Sequence, residues 1–131
     1  MAGEKYIFLE DIVKRVYEQL GYGLSELTYE KCLTAELTEI VPIVQSEYHV
    51  NEYYITRTGR QIQIADLRID ILINNDCILE LKTLENSFNK KKNLKETKEY
   101  KQIRRYMKIM NINEGYLINF FRNGFDFIRI N

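Results

Sequence analysis

Side chains that bind soft metals or cross-link a chain are almost missing from this sequence. Two isolated cysteines, Cys32 and Cys77, and a single histidine, His49, occur in 131 residues. With no C-x-x-C pair, a thiolate or imidazole zinc site has almost no ligands to draw on, and both cysteines read as core residues. Proline occurs once, and nothing is low-complexity, repeated or linker-like, which excludes a disordered tail. No apolar run approaches the ~20 residues needed to span a bilayer, and the N-terminus lacks the charged-then-apolar pattern of a secretory signal. The expectation is an intracellular protein, cytoplasmic or nuclear and not secreted. Net formal charge is zero, which by itself argues neither for nor against a polyanionic partner.

What is present suits one ordered domain over residues 1–131. Hydrophobic residues make up 45% and charged residues 29%, and a chain of this length buries roughly two thirds of its unfolded surface without a staple. The charge is unevenly spread. Lys90 to Lys108 holds nine Lys or Arg against Glu96 and Glu99, whereas Glu4 to Glu39 holds eight acids against four bases. The basic run is a candidate phosphate-binding surface, and equally a solvated helix face in a lysine-rich protein.

In order, Leu9, Ile12, Val13, Val16 and Leu20 follow helical spacing, and Gly21-Tyr22-Gly23 ends that helix. Ser25 is an N-cap for a second helix with Tyr29, Leu33, Glu36 or Leu37, and Ile40 inward, ending before Pro42. Glu26 lies on that inward stripe, although an acid in a first turn is also favoured by the helix macrodipole. Glu47 to Ile55 reads as a strand, with His49 exposed on it, and Arg57-Thr58-Gly59-Arg60 as a turn. From Gln61 to Ile73, Ala65, Leu67, Ile69, Ile71 and Ile73 are expected on one face and Asp66, Arg68 and Asp70 on the other. A third strand runs from Cys77 to Leu84, followed by a polar, mobile loop over Asn86 to Lys92. Asn93 with Glu96 resembles a capping box for a helix presenting Leu94, Ile103, Tyr106, Met107 and Met110 inward. Strands over Gly115 to Phe121 and Phe125 to Ile130 flank the turn signal Arg122-Asn123-Gly124. Helices, three antiparallel strands, a helix and two strands imply an α/β fold with a central mixed sheet flanked by helices.

The hairpin Asp70 to Lys82 carries charges on an apolar ribbon. Strand alternation puts Glu80 and Lys82 on one face and Cys77, Leu79 and Leu81 on the other. If Asn74-Asn75-Asp76 form a three-residue turn, Asp70 falls opposite Glu80; a two-residue turn would separate them. Two carboxylates with no His or Cys suit a hard cation such as Mg²⁺ or Mn²⁺, and an adjacent ammonium can serve an attacking water. A salt-bridged strand pair on a solvated face accounts for the same spacing.

Gly23-Leu-Ser-Glu26-Leu-Thr-Tyr29 matches the pattern G-x-x-E-x-x-Y, and Asp70 followed by Glu80-Leu81-Lys82 matches D…E-x-K. In this order and spacing the chain resembles the GxxExxY family of PD-(D/E)XK nucleases. The resemblance extends through Gln102, Tyr106 and Gly115-Tyr-Leu-Ile-Asn119-Phe120, and so covers nearly the whole chain. It implies a restriction-endonuclease-like core in which Asp70 and Glu80 bind metal, the Leu81 carbonyl helps, and Lys82 serves the water. It also implies that Glu26 completes the acidic cluster as a metal ligand or by orienting a coordinating water, with Gln102 approaching from the late helix. No proline precedes the metal aspartate, whose neighbour is Ile69.

The expectation is thus a Mg²⁺-dependent nuclease acting on DNA. Lys90, Lys91, Lys92, Lys95, Lys98, Lys101 and Arg105 would lie along the phosphate backbone. No base-reading module is visible. The alternative is a catalytically silent nucleic-acid-binding or assembly subunit that keeps the fold. At this length, a homodimer or a larger complex is one way to reach both strands of a duplex.

Overall fold

The computed structural model describes residues 2–90 and 93–131. Helix α1 (Leu9–Leu20) buries Leu9, Val13 and Val16, the stripe its spacing predicts. Its end is fixed by Gly21 at φ +73°, whose N–H bonds the Tyr17 carbonyl. Helix α2 (Glu26–Thr38) is capped by the Ser25 hydroxyl, which accepts from the Thr28 N–H. It buries Tyr29, Glu30, Leu33 and Leu37. Ile40 lies beyond the helix and is 52% exposed, contrary to its expected inward place.

Five strands form one sheet in the order β1 (Val44–Ile55), β2 (Gln61–Ile73), β3 (Cys77–Lys82), β4 (Glu114–Phe121) and β5 (Gly124–Ile130). β3 and β4 are parallel and the other pairs antiparallel, so the sheet is mixed. The parallel step requires a crossover, supplied by helix α3 (Lys98–Met110). Helices α1 and α2 pack over one face with Ile71, Leu79, Leu81, Ile118 and Phe120, and α3 packs over the other with Ile69, Leu72, Ile78 and Leu117. Gly115 permits close helix packing, since a Cβ there would lie 2.6 Å from Met107 Sδ. No helix among the described residues is long and apolar enough to cross a membrane.

Four local expectations are corrected. Ile69 does not share a face with Ile71 and Ile73: it packs under α3 while they pack under α1 and α2. Simple alternation breaks at Asp70. There the β2–β3 register ends at Ile71↔Leu79, and the opposite residue of β1, Glu47, takes φ +51°. β3 stops at Lys82 rather than Leu84 because the Leu84 N–H turns to the Asn119 side chain. The segment after it is not free: Ser87 and Phe88 are buried, and both donate to the Asp126 carboxylate. Lys91 and Lys92 lie outside the described residues. Asn93 caps only a 3-10 turn, Leu94–Glu96, and the Thr97 hydroxyl caps α3 by accepting from the Tyr100 N–H.

Candidate active site

The turn between β2 and β3 sets the register of the site. Asn74 and Asn75 adopt φ +52° and +56°, and the ladder pairs Ile73 with Cys77 and Ile71 with Leu79. Continuing it places Asp70 opposite Glu80, as a three-residue turn requires. At that level the ladder gives way to side chains. The Asp70 N–H donates to Glu80 Oε1 at 3.1 Å, and the Leu81 N–H donates to Asp70 Oδ2 at 2.8 Å. The two acids thus clamp each other's strand.

Glu80 is 2% exposed on the α3 side of the sheet. Burial first, and the Asp70 charge second, push its carboxyl well above the ordinary range. Burial also raises Asp70, against the pull of the Leu81 N–H, Lys82 and Arg68. Lys82 ends β3, and its Nζ donates to Gln102 Oε1 at 2.9 Å. Gln102 in turn donates from Nε2 to the Tyr106 hydroxyl at 3.0 Å. Two residues of α3 four apart therefore hold the lysine from one direction. Burial, then the Glu80 charge, raises the Tyr106 hydroxyl.

The acid of α2 arrives from the other face. Gly23 takes φ +106°, a conformation that favours glycine and lets the chain turn from α1 into α2. Tyr29 donates to the Gly21 carbonyl at 2.5 Å and stacks on Phe120 with centroids 4.1 Å apart, anchoring the first turn of α2 to β4. The glycine and tyrosine of the G-x-x-E-x-x-Y pattern thus fix the helix that carries Glu26. Burial raises the Glu26 carboxyl, while Lys82 and the Thr83 N–H favour its charged form. One turn later stands Glu30, 6% exposed, which the sequence reading missed. Burial and the charges of Asp70 and Glu47 push it up to about 7. Its four-residue spacing from Glu26 was the available signal.

The structure brings Asp70 and Glu80 together beside Lys82 and Gln102. Glu26 shares their electrostatic field, but among the described residues no three His, Cys, Asp or Glu are gathered closely enough to hold an ion. Two convergent carboxylates, without nitrogen or sulfur donors, fit a hard divalent cation whose remaining positions are filled by water and phosphate oxygens. Of the basic residues, Lys90, Lys95, Lys98, Lys101 and Arg105 are all exposed. Lys101 pairs with Glu96 at 3.7 Å, and Arg105 pairs with Glu52.

Comparison with known proteins places the chain in a family and supports its fold. A family model described as the PD-(D/E)XK nuclease superfamily matches residues 6–129. Among solved structures, one titled "Crystal structure of SSO0001" superposes with a TM-score of 0.55 at 18% identity. It covers 94% of this chain, and the chain spans 65% of that protein's length. Comparison with curated proteins finds no matching relative.

Proposed function

Because the chain belongs to the PD-(D/E)XK nuclease superfamily, we propose that it is an intracellular, Mg²⁺- or Mn²⁺-dependent nuclease of the GxxExxY group, hydrolysing phosphodiester bonds of DNA. The observation that carries this reading is the meeting of the buried Glu80 and the half-buried Asp70, each accepting a backbone hydrogen bond from the other's strand, with a lysine held by Gln102. Asp70, Glu80 and the Leu81 carbonyl would hold the cation, which when bound supplies Lewis-acid polarisation of the phosphodiester.

The remaining work falls to the chain. Lys82, kept in place by Gln102 and Tyr106, orients the attacking water and offsets charge on the phosphate. Glu26 enters from α2 near Lys82 and orients a water or a second cation. Exposed lysines of the 90–108 region hold the backbone. A different observation favours the non-cutting alternative, a nucleic-acid-binding or assembly subunit: among the described residues only two acids converge, short of a three-acid group. A homodimer or a larger complex would extend either role to both strands.

Single- and double-stranded DNA and RNA incubated with Mg²⁺, Mn²⁺ or chelator separate these readings. Metal-dependent DNA cleavage that disappears in Asp70→Ala and Lys82→Ala is expected, with a loss of at least about a hundredfold. Cleavage that survives both substitutions would sink the site, and binding without cleavage would establish the alternative.

A further inference from the structure

The long β1–β2 hairpin does more than fill the sheet. Its strands pair from Val44↔Ile73 out to Ile55↔Gln61, yet β2 pairs with β3 only over Ile71–Ile73. The outer half therefore leaves the sheet as a two-stranded arm, a structure of marginal stability by itself. The Arg105–Glu52 ion pair ties the arm to α3. Between them lies an open groove of about 960 Å³.

The chemistry of the groove is one-sided. Five bases line it, Lys95, Lys101, Arg104, Arg105 and Lys108, and its single acid, Glu52, is already paired with Arg105. Such a surface is complementary to a polyanion. Its aromatic lining is Tyr53 from the arm and Tyr100 from α3, with Tyr53 46% exposed. Rings beside cations are the recognition chemistry of unstacked bases, because every base offers a face for stacking whereas a duplex keeps those faces covered. The volume is at the top of the ~300–1,000 Å³ range of small-molecule clefts, room for a short run of nucleotides. Neighbouring positions on α3 serve both places: Lys101 and Arg105 face the groove, while Gln102 and Tyr106 hold Lys82.

We infer that the groove between the arm and α3 seats a single-stranded segment of nucleic acid, with Tyr53 and Tyr100 stacking on bases and Lys101, Arg104 and Lys108 contacting phosphates. The delivery of that strand toward Lys82 rests on the nuclease reading; the binding itself does not.

Fluorescence anisotropy in EDTA, with a labelled oligothymidylate of about 15 nucleotides and a duplex of equal length, tests binding apart from cleavage. The single strand should bind at least about tenfold more tightly than the duplex. Tyr53→Ala should weaken it about fivefold or more, with Tyr53→Phe retaining affinity because the ring remains. Arg104→Ala combined with Lys108→Ala should reduce the slope of log K against log salt by about 1.4, two single-strand contacts at ~0.7 each. Far-UV dichroism of each variant verifies folding. Equal affinity for duplex, or full affinity in both the tyrosine and the double variant, overturns the inference. So does the finding that arm substitutions dissociate a dimer in sedimentation without altering oligonucleotide affinity, which would assign the arm to a second copy. Tight single-strand binding by a protein that never cuts would leave the groove standing and remove the nuclease reading; cleavage with unaltered groove variants would do the reverse.

Discussion

Two polar clusters stand side by side in the sheet, and they are satisfied to different degrees. Lys82 pairs with Asn119 across β3–β4, and Asn119 pairs with Asp126 across β4–β5, so one row of the sheet joins them. Asp126 accepts from the Ser87 hydroxyl at 2.6 Å, the Phe88 N–H at 2.8 Å and the Asn119 amide at 3.0 Å. Asn119 also donates to the Asn86 carbonyl and accepts from the Leu84 N–H. Across the row, Asp70 and Glu80 accept one backbone N–H each and face each other. The first cluster uses polar burial to fix the chain that leaves β3. The second leaves two carboxyls short of donors, an arrangement that costs stability unless a cation supplies what the chain does not.

Substitution should separate the clusters most widely. Asp126→Ala strands a hydroxyl, an amide and a backbone N–H at a buried place and should cost about 3 kcal/mol of stability in urea unfolding. Asp70→Ala in metal-free buffer should cost far less, because it also relieves repulsion on Glu80. Equal losses would erase the distinction.

The next effect concerns pH and metal. A carboxyl whose folded-state pKa is raised keeps its proton longer in the folded chain than in the unfolded one. Its contribution is complete below the unfolded value and is lost as pH rises toward the folded value. Glu80 and Asp70 are both raised, so metal-free stability should fall as pH climbs above the ordinary carboxylate range, a decline read from urea midpoints across pH in EDTA. Glu80→Gln should flatten that fall. Mg²⁺ selects the charged carboxylates, so the rise in melting temperature it produces should grow with pH. A Mg²⁺ shift that is independent of pH, or that persists in Asp70→Ala, would place the ion elsewhere.

The sequence made the hairpin half of the site legible for physical reasons. A three-residue Asn-Asn-Asp turn dictates the Asp70–Glu80 register, and period-two alternation puts Glu80 and Lys82 on one face. The helical spacing of α1 and the cap at Ser25 were equally plain. The break of alternation at Asp70 was not, because it arises when side chains replace ladder bonds, a tertiary event that leaves no mark on a hydropathy pattern. The anchored loop was misread for a related reason. Asn86-Ser87-Phe88 looks mobile until Asp126, nearly forty residues later, is seen to accept from two of its residues. Glu30 was missed because an acid on a helix reads as a solvated face unless its neighbours across space are known.

Glu30 also offers the finest test of the contrast. It is as buried as Asp126, but no hydrogen-bond donor meets its carboxylate among the described residues, and burial, with the charges of Asp70 and Glu47, raises it to about 7. Below the ordinary carboxylate range both folded and unfolded chains hold this proton, and the group is silent. Between that range and about pH 7 the unfolded chain releases it first, so stability drains away as pH rises. Glu30→Gln keeps the shape and removes the titration. It should leave stability unchanged near pH 4 and raise it by about 1–2 kcal/mol at pH 8, read from urea midpoints in EDTA. With Mg²⁺ present the gain should shrink, because a cation on Asp70 would offset the charge that repels Glu30. A substitution that destabilises at every pH would mean that the Glu30 carboxyl belongs with the satisfied cluster, as part of the packing that holds α2.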